Sequence, residues 1–204
     1  MIQIPSLYCI IDAAFLPATR DLLAFAEALA AGGCTLVQYR NKRGNGRVML
    51  EQARELKRHF GDSVRLVMND RADLCLAADF GGVHVGQEDL SPGYVRQMIG
   101  PDRWLGVSTH NPEQLREAAL TPADYLAIGP VFATSSKHKP DPVVGLEGVW
   151  RARQLTRKPL VAIGGITRAN AASVMEAGAD SVAVISDLLR DPRKSAEEFF
   201  RILR

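Results

Sequence analysis

Residues 66–90 read LVMNDRADLCLAADFGGVHVGQEDL. Two short apolar runs, Leu66-Val67-Met68 and Val83-His84-Val85, are each followed within a few residues by an acid, Asp70 and Asp89. A short apolar run of this kind reads as a buried strand. The stretch between them, opening at Arg71-Ala72-Asp73-Leu74, reads as a helix. Strand, helix and strand in such quick succession imply two parallel strands joined by a crossover helix. A carboxylate is not buried alone without cost, so each acid marks the end of its strand and needs a partner there.

The same unit recurs along the whole chain. Strands are expected at Leu7–Ile11, Thr35–Tyr39, Val64–Met68, Gly82–Val85, Trp104–Val107, Tyr125–Ile128, Leu160–Ile163 and Ser181–Ile185. Amphipathic helical segments lie between them, including 21–31, 46–60, 112–119, 168–177 and 194–203. In 46–60, Met49, Ala53, Leu56 and Phe60 share one face, while Arg54, Glu55, Lys57 and Arg58 face out. Pro112 at a first helical position and Thr167 read as helix starts, and Gly32-Gly33 and Gly178 as stops. Strands alternating with single helices give a parallel sheet with right-handed crossovers. Eight such units predict an α/β fold, a single (β/α)8 TIM barrel spanning 1–204. An open doubly wound sheet is the alternative, but no G-x-G-x-x-G follows the first strand to support a dinucleotide site.

Bulk properties narrow the function classes. The 204 residues are 47% hydrophobic and 24% charged, with a formal net charge of +2. This balance gives no footprint for nucleic acid or an anionic membrane. No apolar stretch approaches the roughly 20 residues that span a bilayer. The start, MIQIPSLYCIID, has neither a basic n-region nor a long apolar h-region, so no signal peptide is expected. The three cysteines, Cys9, Cys34 and Cys75, lack metal-ligand spacing and suit reduced thiols in a cytoplasmic protein. The chain is compatible with a homo-oligomer, and the sequence does not fix the number of copies.

In a barrel of this type, chemistry sits at the C-terminal ends of the strands. After the second run comes Gln38-Tyr39-Arg40-Asn41-Lys42. Alternation puts Gln38, Arg40 and Lys42 on one face, towards the mouth, and Tyr39 and Asn41 on the other. Asn69-Asp70 follows the third run and Gly86-Gln87-Glu88-Asp89 the fourth. Adjacent parallel strands lie about 4.8 Å apart, so Asp70 and Asp89 are expected to become neighbours. Two carboxylates that meet repel unless a cation sits between them, and Mg²⁺ suits such a pair with substrate phosphate oxygens. The competing reading makes each acid a cap of the helix that follows it.

Ser108-Thr109-His110 follows the fifth run, without the elbow motif of a nucleophilic serine; a hydroxyl donating to a ligand anion fits better. His110 reads as a cap of the next helix and His84 as a satisfied interior histidine. The long irregular segment 129–145 carries Thr134-Ser135-Ser136-Lys137, three hydroxyls and an ammonium that suit a phosphate. Gly164-Gly165 after the seventh run and Ser186 after the eighth occupy the usual phosphate position of such barrels. Two anion subsites follow: a basic, metal-assisted one at strands two to four and one of backbone N–H and hydroxyl groups at strands six to eight.

The series QYRNK (38–42), NDR (69–71), GVHVGQEDL (82–90), GVSTH (106–110), GPVFATSSK (129–137), AIGGI (162–166) and VAVIS (182–186) resembles the thiamine-phosphate synthase family, in the family's order and over nearly the whole chain. The resemblance implies that a hydroxymethylpyrimidine diphosphate is coupled to a thiazole phosphate. It implies that Gln38, Arg40, Lys42, Asn69, Ser108 and Lys137 hold the pyrimidine diphosphate. Arg40, Lys42, Ser108 and Lys137 would carry the catalysis, and Asp70 and Asp89 would bind Mg²⁺. Thr134, Ser136, Gly165, Ile185 and Ser186 would hold the thiazole phosphate.

Four positions depart from the family pattern. Asn41 stands for a usual Glu, Tyr39 for an aliphatic residue, Ser136 for Thr and Ala133 for Pro, and none removes a ligand-binding group. A related thiazole tautomerase, a non-catalytic thiamine-phosphate sensor and a Schiff-base aldolase using Lys42 or Lys137 are the competing readings. The acidic pair argues against the first. The retained Lys42, Ser108 and Lys137 argue against the second. The third is weakened because neither lysine sits in an apolar strand core.

Overall fold

A computed structural model describes residues 2–16, 18–134 and 141–204. Eight parallel strands close into a barrel in sequence order, each paired with its neighbour and the first with the last. The strands are β1 (Leu7–Asp12), β2 (Leu36–Arg40), β3 (Arg65–Asn69), β4 (Gly82–Val85), β5 (Trp104–Thr109), β6 (Tyr125–Ile128), β7 (Leu160–Ile163) and β8 (Ser181–Val184). The helices are α1 (Thr19–Ala31), α2 (Gly46–Phe60), α3 (Ala72–Ala77), α4 (Pro92–Ile99), α5 (Pro112–Ala119), α6 (Gly145–Leu155), α7 (Ala171–Glu176) and α8 (Pro192–Ile202). The (β/α)8 barrel expected from the alternating pattern is therefore the architecture found.

Strand alternation divides the core into two layers. Tyr8, Ile10, Leu36, Val67, Tyr125, Ala127, Val161 and Ala183 fill the barrel interior. Their strand neighbours, such as Cys9, Ile11, Val37, Tyr39, Leu66 and Met68, pack outward against the helices. On α2 the face Met49, Ala53, Leu56 and Phe60 is buried as its spacing predicts. Gln52 is buried on the same helix because its amide oxygen accepts from the Tyr39 hydroxyl at 2.5 Å. Tyr39 and Asn41 thus lie on the helix side of β2, the face away from the mouth. All three cysteines are free and buried.

Several element ends shift by one or two residues from the sequence pattern, and two of the differences have a visible local cause. The helix expected at 168–177 starts only at Ala171. Residues 167–170 form a separate turn, closed when the Asn170 side chain accepts from the Thr167 amide at 2.7 Å. β8 ends at Val184 because Ile185, at φ −116° and ψ −73°, leaves the extended region. A 3-10 turn, Ser186–Leu188, follows. Among the described residues, no helix is long and apolar enough to cross a membrane.

Candidate active site

The polar residues collect where the strands end. At β1 and β2, the Arg40 guanidinium donates to the Asp12 carboxylate across paired strand positions. Asp12 is 2% exposed, so its charge is compensated by Arg40 and by the Ala14 amide at 2.9 Å. Lys42 lies two residues past the end of β2, and its ammonium reaches the Asp70 carboxylate at 2.5 Å. Asn41 shapes this turn by accepting from the Arg43 and Gly44 amides at 3.1 and 2.7 Å.

Asp70 holds a left-handed backbone conformation at φ 63°. Its amide donates to the His84 carbonyl at 2.8 Å, which ties the end of β3 to β4. Asp89 is anchored by the Gly86 amide, which donates to its carboxylate at 2.7 Å. Neither acid caps the helix behind it. α3 has Arg71 at its N-cap and α4 has Ser91, both without a side-chain cap bond. The two acids interact instead. Burial pushes the Asp70 carboxyl above its ordinary value, and the Asp89 charge pushes it further, against the pull of Lys42. A half-buried carboxylate in a left-handed turn, facing a second carboxylate, is costly for folding and is the kind of strain found at functional positions.

The barrel interior carries a connected polar chain beneath this mouth. The Gln38 amide nitrogen donates to the Tyr8 hydroxyl at 2.9 Å. The Tyr8 and Tyr125 hydroxyls are 2.9 Å apart, and Tyr125 meets His84 Nδ1 at 3.1 Å. His84 Nε2 meets the Ser108 hydroxyl at 2.8 Å. Burial lowers the His84 pKa to about 4, so the imidazole is neutral at pH 7. The interior histidine expected from sequence is satisfied on both nitrogens. Gly106 is what allows the contact: a Cβ there would sit 2.1 Å from the Tyr125 ring and 2.4 Å from His84 Nδ1.

Across the mouth, the chain after β6 runs alongside the loop after β7. Val131 and Phe132 amides donate to the Ile163 and Gly164 carbonyls, both at 2.9 Å. A Cβ on Gly164 would meet Pro130 at 2.5 Å, and one on Gly165 would meet the Ala133 carbonyl at 2.5 Å. Both glycines also have positive φ, 101° and 63°. The paired glycines are thus explained by close backbone approach as well as by conformation. Arg168 fastens the loops after β7 and β8 together. Its backbone amide and Nε donate to Asp187 at 2.9 and 3.0 Å, and its guanidinium also reaches Glu198.

The structure therefore gathers Gln38, Arg40, Lys42, Asn69, Asp70, Asp89 and Ser108 at one side of the mouth. Gly165, Ile185 and Ser186 lie at the ends of β7 and β8, on the side reached by the loop after β6, and Thr134 is on that loop. Ser136 and Lys137 lie outside the described residues. His110 is not the cap of α5: Asn111 accepts from the Gln114 amide at 2.9 Å and takes that place. His110 Nδ1 instead meets the Gly129 carbonyl at 2.7 Å. Sequence reasoning missed Asp12, Tyr8 and Tyr125. Asp12 carried a usable signal, an acid closing an apolar run, as Asp70 and Asp89 do.

A closed parallel barrel with charged and amide side chains gathered at its C-terminal mouth defines the class of (β/α)8 barrel enzymes. Comparison with known proteins narrows that class. Residues 7–188 match the family model described as thiamine monophosphate synthase. The thiamine-phosphate synthase of Koribacter versatilis is 58% identical over 205 residues, covering 99% of this chain and 97% of the relative. That of Chloroflexus aurantiacus is 47% identical, covering 88% and 83%. The solved thiamine phosphate pyrophosphorylase from Pyrococcus furiosus superposes with a TM-score of 0.85 at 35% identity, covering 97% of this chain and 95% of that one. The chain belongs to the thiamine monophosphate synthase family, and its enzyme class is that of a transferase.

Proposed function

We propose that the protein couples 4-amino-2-methyl-5-(diphosphooxymethyl)pyrimidine to a thiazole phosphate, forming thiamine phosphate and pyrophosphate. The observation that carries this reading is Asp70 set between Lys42 and Asp89 at the mouth of a barrel of this family, with Arg40 at the end of the same strand that leads to Lys42. Asp70 and Asp89, with Lys42 and the Asp12-paired Arg40 at neighbouring strand ends, suit a diphosphate held together with a metal ion.

In the proposed reaction the bond between the pyrimidine methylene and the diphosphate oxygen breaks first. Pyrophosphate departs with the electron pair, and the methylene becomes cation-like. The thiazole nitrogen then donates its lone pair to form the new C–N bond. No protein nucleophile is required. Arg40 and Lys42, with Lys137, stabilise the negative charge that builds on the leaving group. Asn69 and Ser108 fix the diphosphate, and Gln38 engages the pyrimidine ring. Thr134, Ser136, Gly165, Ile185 and Ser186 seat the thiazole phosphate, so both reactants are held in line.

The donor set fits Mg²⁺. Asp70 and Asp89 supply hard carboxylate oxygens, and the burial and mutual repulsion that raise the Asp70 pKa are relieved by a dication. Bound there, Mg²⁺ would neutralise charge on the departing pyrophosphate. The test is ³¹P NMR of the purified protein with Mg²⁺ and each substrate, alone and together. The diphosphate signals should give way to a pyrophosphate singlet only when both substrates are present. Loss of the diphosphate without thiazole phosphate, or no loss at all, would overturn the reading.

A further inference from the structure

We infer that the buried chain Gln38–Tyr8–Tyr125–His84–Ser108 sets which way its two ends face the substrate. Gln38 then offers a carbonyl acceptor to an exocyclic amine, and Ser108 offers its hydroxyl proton to the diphosphate. The inference rests on the proposed function and assigns new roles to Tyr8, Tyr125 and His84.

The argument is one of proton counting. Each hydroxyl has one proton, and a neutral imidazole has one N–H. Tyr8 and Tyr125 are 1% and 0% exposed, so no water can take a surplus proton. None of the polar atoms of Gln38, Tyr8, Tyr125, His84 and Ser108 is a buried group without a partner. When Gln38 Nε2 donates to Tyr8, the Tyr8 proton goes to Tyr125 and the Tyr125 proton to His84 Nδ1. His84 must then carry its proton on Nε2, which donates to Ser108 Oγ. The Ser108 proton is left over and free to point at an anion. At the other end, Gln38 Oε1 takes no hydrogen bond from any described residue.

Only one other sense satisfies every buried atom. Reversed, Ser108 donates to His84, Nδ1–H donates to Tyr125, and Gln38 turns its NH₂ outward. That arrangement offers an acceptor to the diphosphate and a donor to the pyrimidine amine, wrong at both ends. The anion at Ser108 therefore selects the sense that makes Gln38 an acceptor, although the two ends lie on β2 and β5. Tyr8, Tyr125 and His84 act as positioning residues: Tyr8 touches Gln38, His84 touches Ser108, and Tyr125 joins Tyr8 to His84.

The test combines a spectroscopic and a kinetic measurement. ¹⁵N NMR of the unaltered protein, saturated with the pyrimidine diphosphate alone at neutral pH, reports the His84 tautomer. The inference requires protonated Nε2 and a bare, hydrogen-bonded Nδ1. An Nδ1–H tautomer overturns it. In Tyr8→Phe and Tyr125→Phe the relay is cut. KM for the pyrimidine diphosphate should rise about tenfold while KM for the thiazole phosphate stays within about twofold. Discrimination against the 4-oxo analogue of the pyrimidine should shrink as well. Equal rises in both KM values, or none in either, would also overturn it. If a variant does not fold, the NMR result on the unaltered protein decides alone. An unaltered protein that fails to join the two substrates would instead sink the proposed function.

Discussion

The Lys42 ammonium lies 2.5 Å from the Asp70 carboxylate, and Asp70 reaches it from a left-handed backbone at φ 63°. Left-handed backbone favours Gly, and after it Asn and Asp, over other residues. Asp70→Asn keeps a side chain that tolerates this conformation and removes a charge raised in energy by burial and by Asp89. The metal-free variant should melt no lower than the parent protein. Its turnover should fall by about 100-fold or more, as expected when a preorganised charge is lost. Asp70→Ala should melt lower, by about 1 kcal/mol in stability, because alanine pays the conformational strain. Thermal melting and steady-state rates on the two variants separate strain from chemistry.

Asp12 is buried against Arg40 with no other cation beside it among the described residues. Asp12→Ala leaves the guanidinium without its partner. Stability should fall by about 3 kcal/mol, and KM for the pyrimidine diphosphate should rise as Arg40 loses its position. Urea unfolding and substrate titration read the two effects.

Gly106 has no room for a methyl group, since its Cβ would overlap the Tyr125 ring and the His84 imidazole. Gly106→Ala should destabilise the barrel by about 1–3 kcal/mol, through forced displacement of those rings. A variant with an unchanged urea midpoint would contradict the packing described.

His84 titrates at about 4 in the fold, against 6.5 when exposed. The folded state therefore binds fewer protons than the unfolded chain between these values. Its contribution to stability is present above pH 6.5 and is lost as the pH falls towards 4, up to about 3 kcal/mol in all. The difference in urea midpoint between the parent and His84→Gln should therefore narrow between pH 7 and pH 5.

Arg168 joins the loops that carry Gly165 and Ser186 through Asp187 and Glu198. Arg168→Ala should raise KM for the thiazole phosphate about tenfold and leave KM for the pyrimidine diphosphate near its parent value. Steady-state kinetics with each substrate varied in turn measures this split.

The barrel was legible in the chain because each strand is a short apolar run and each helix has a one-sided face. Gly82–Val85, Tyr125–Ile128 and Leu160–Ile163 begin and end where those runs do. The Thr167 helix start was not, because an Asn170 side-chain bond closes a turn there that composition does not reveal. The acidic pair was legible from strand order, since β3 and β4 are neighbours in any barrel of this topology. Tyr8 and Tyr125 were not. Inside apolar runs their rings read as core, and their hydroxyls meet across 117 residues of sequence. Asp12 was readable by the same rule as Asp70, but its partner Arg40 already had a role as a free cation at the mouth.

Pyrophosphate release is the most direct test of the central claim, that Asp70 and Asp89 hold a divalent cation against the diphosphate during coupling. The protein is supplied with both substrates, with Mg²⁺ or with EDTA, beside Asp89→Ala. The account predicts release that needs both substrates and the metal and that collapses in the variant. Release that persists in EDTA, or in a folded Asp89→Ala protein, would contradict it.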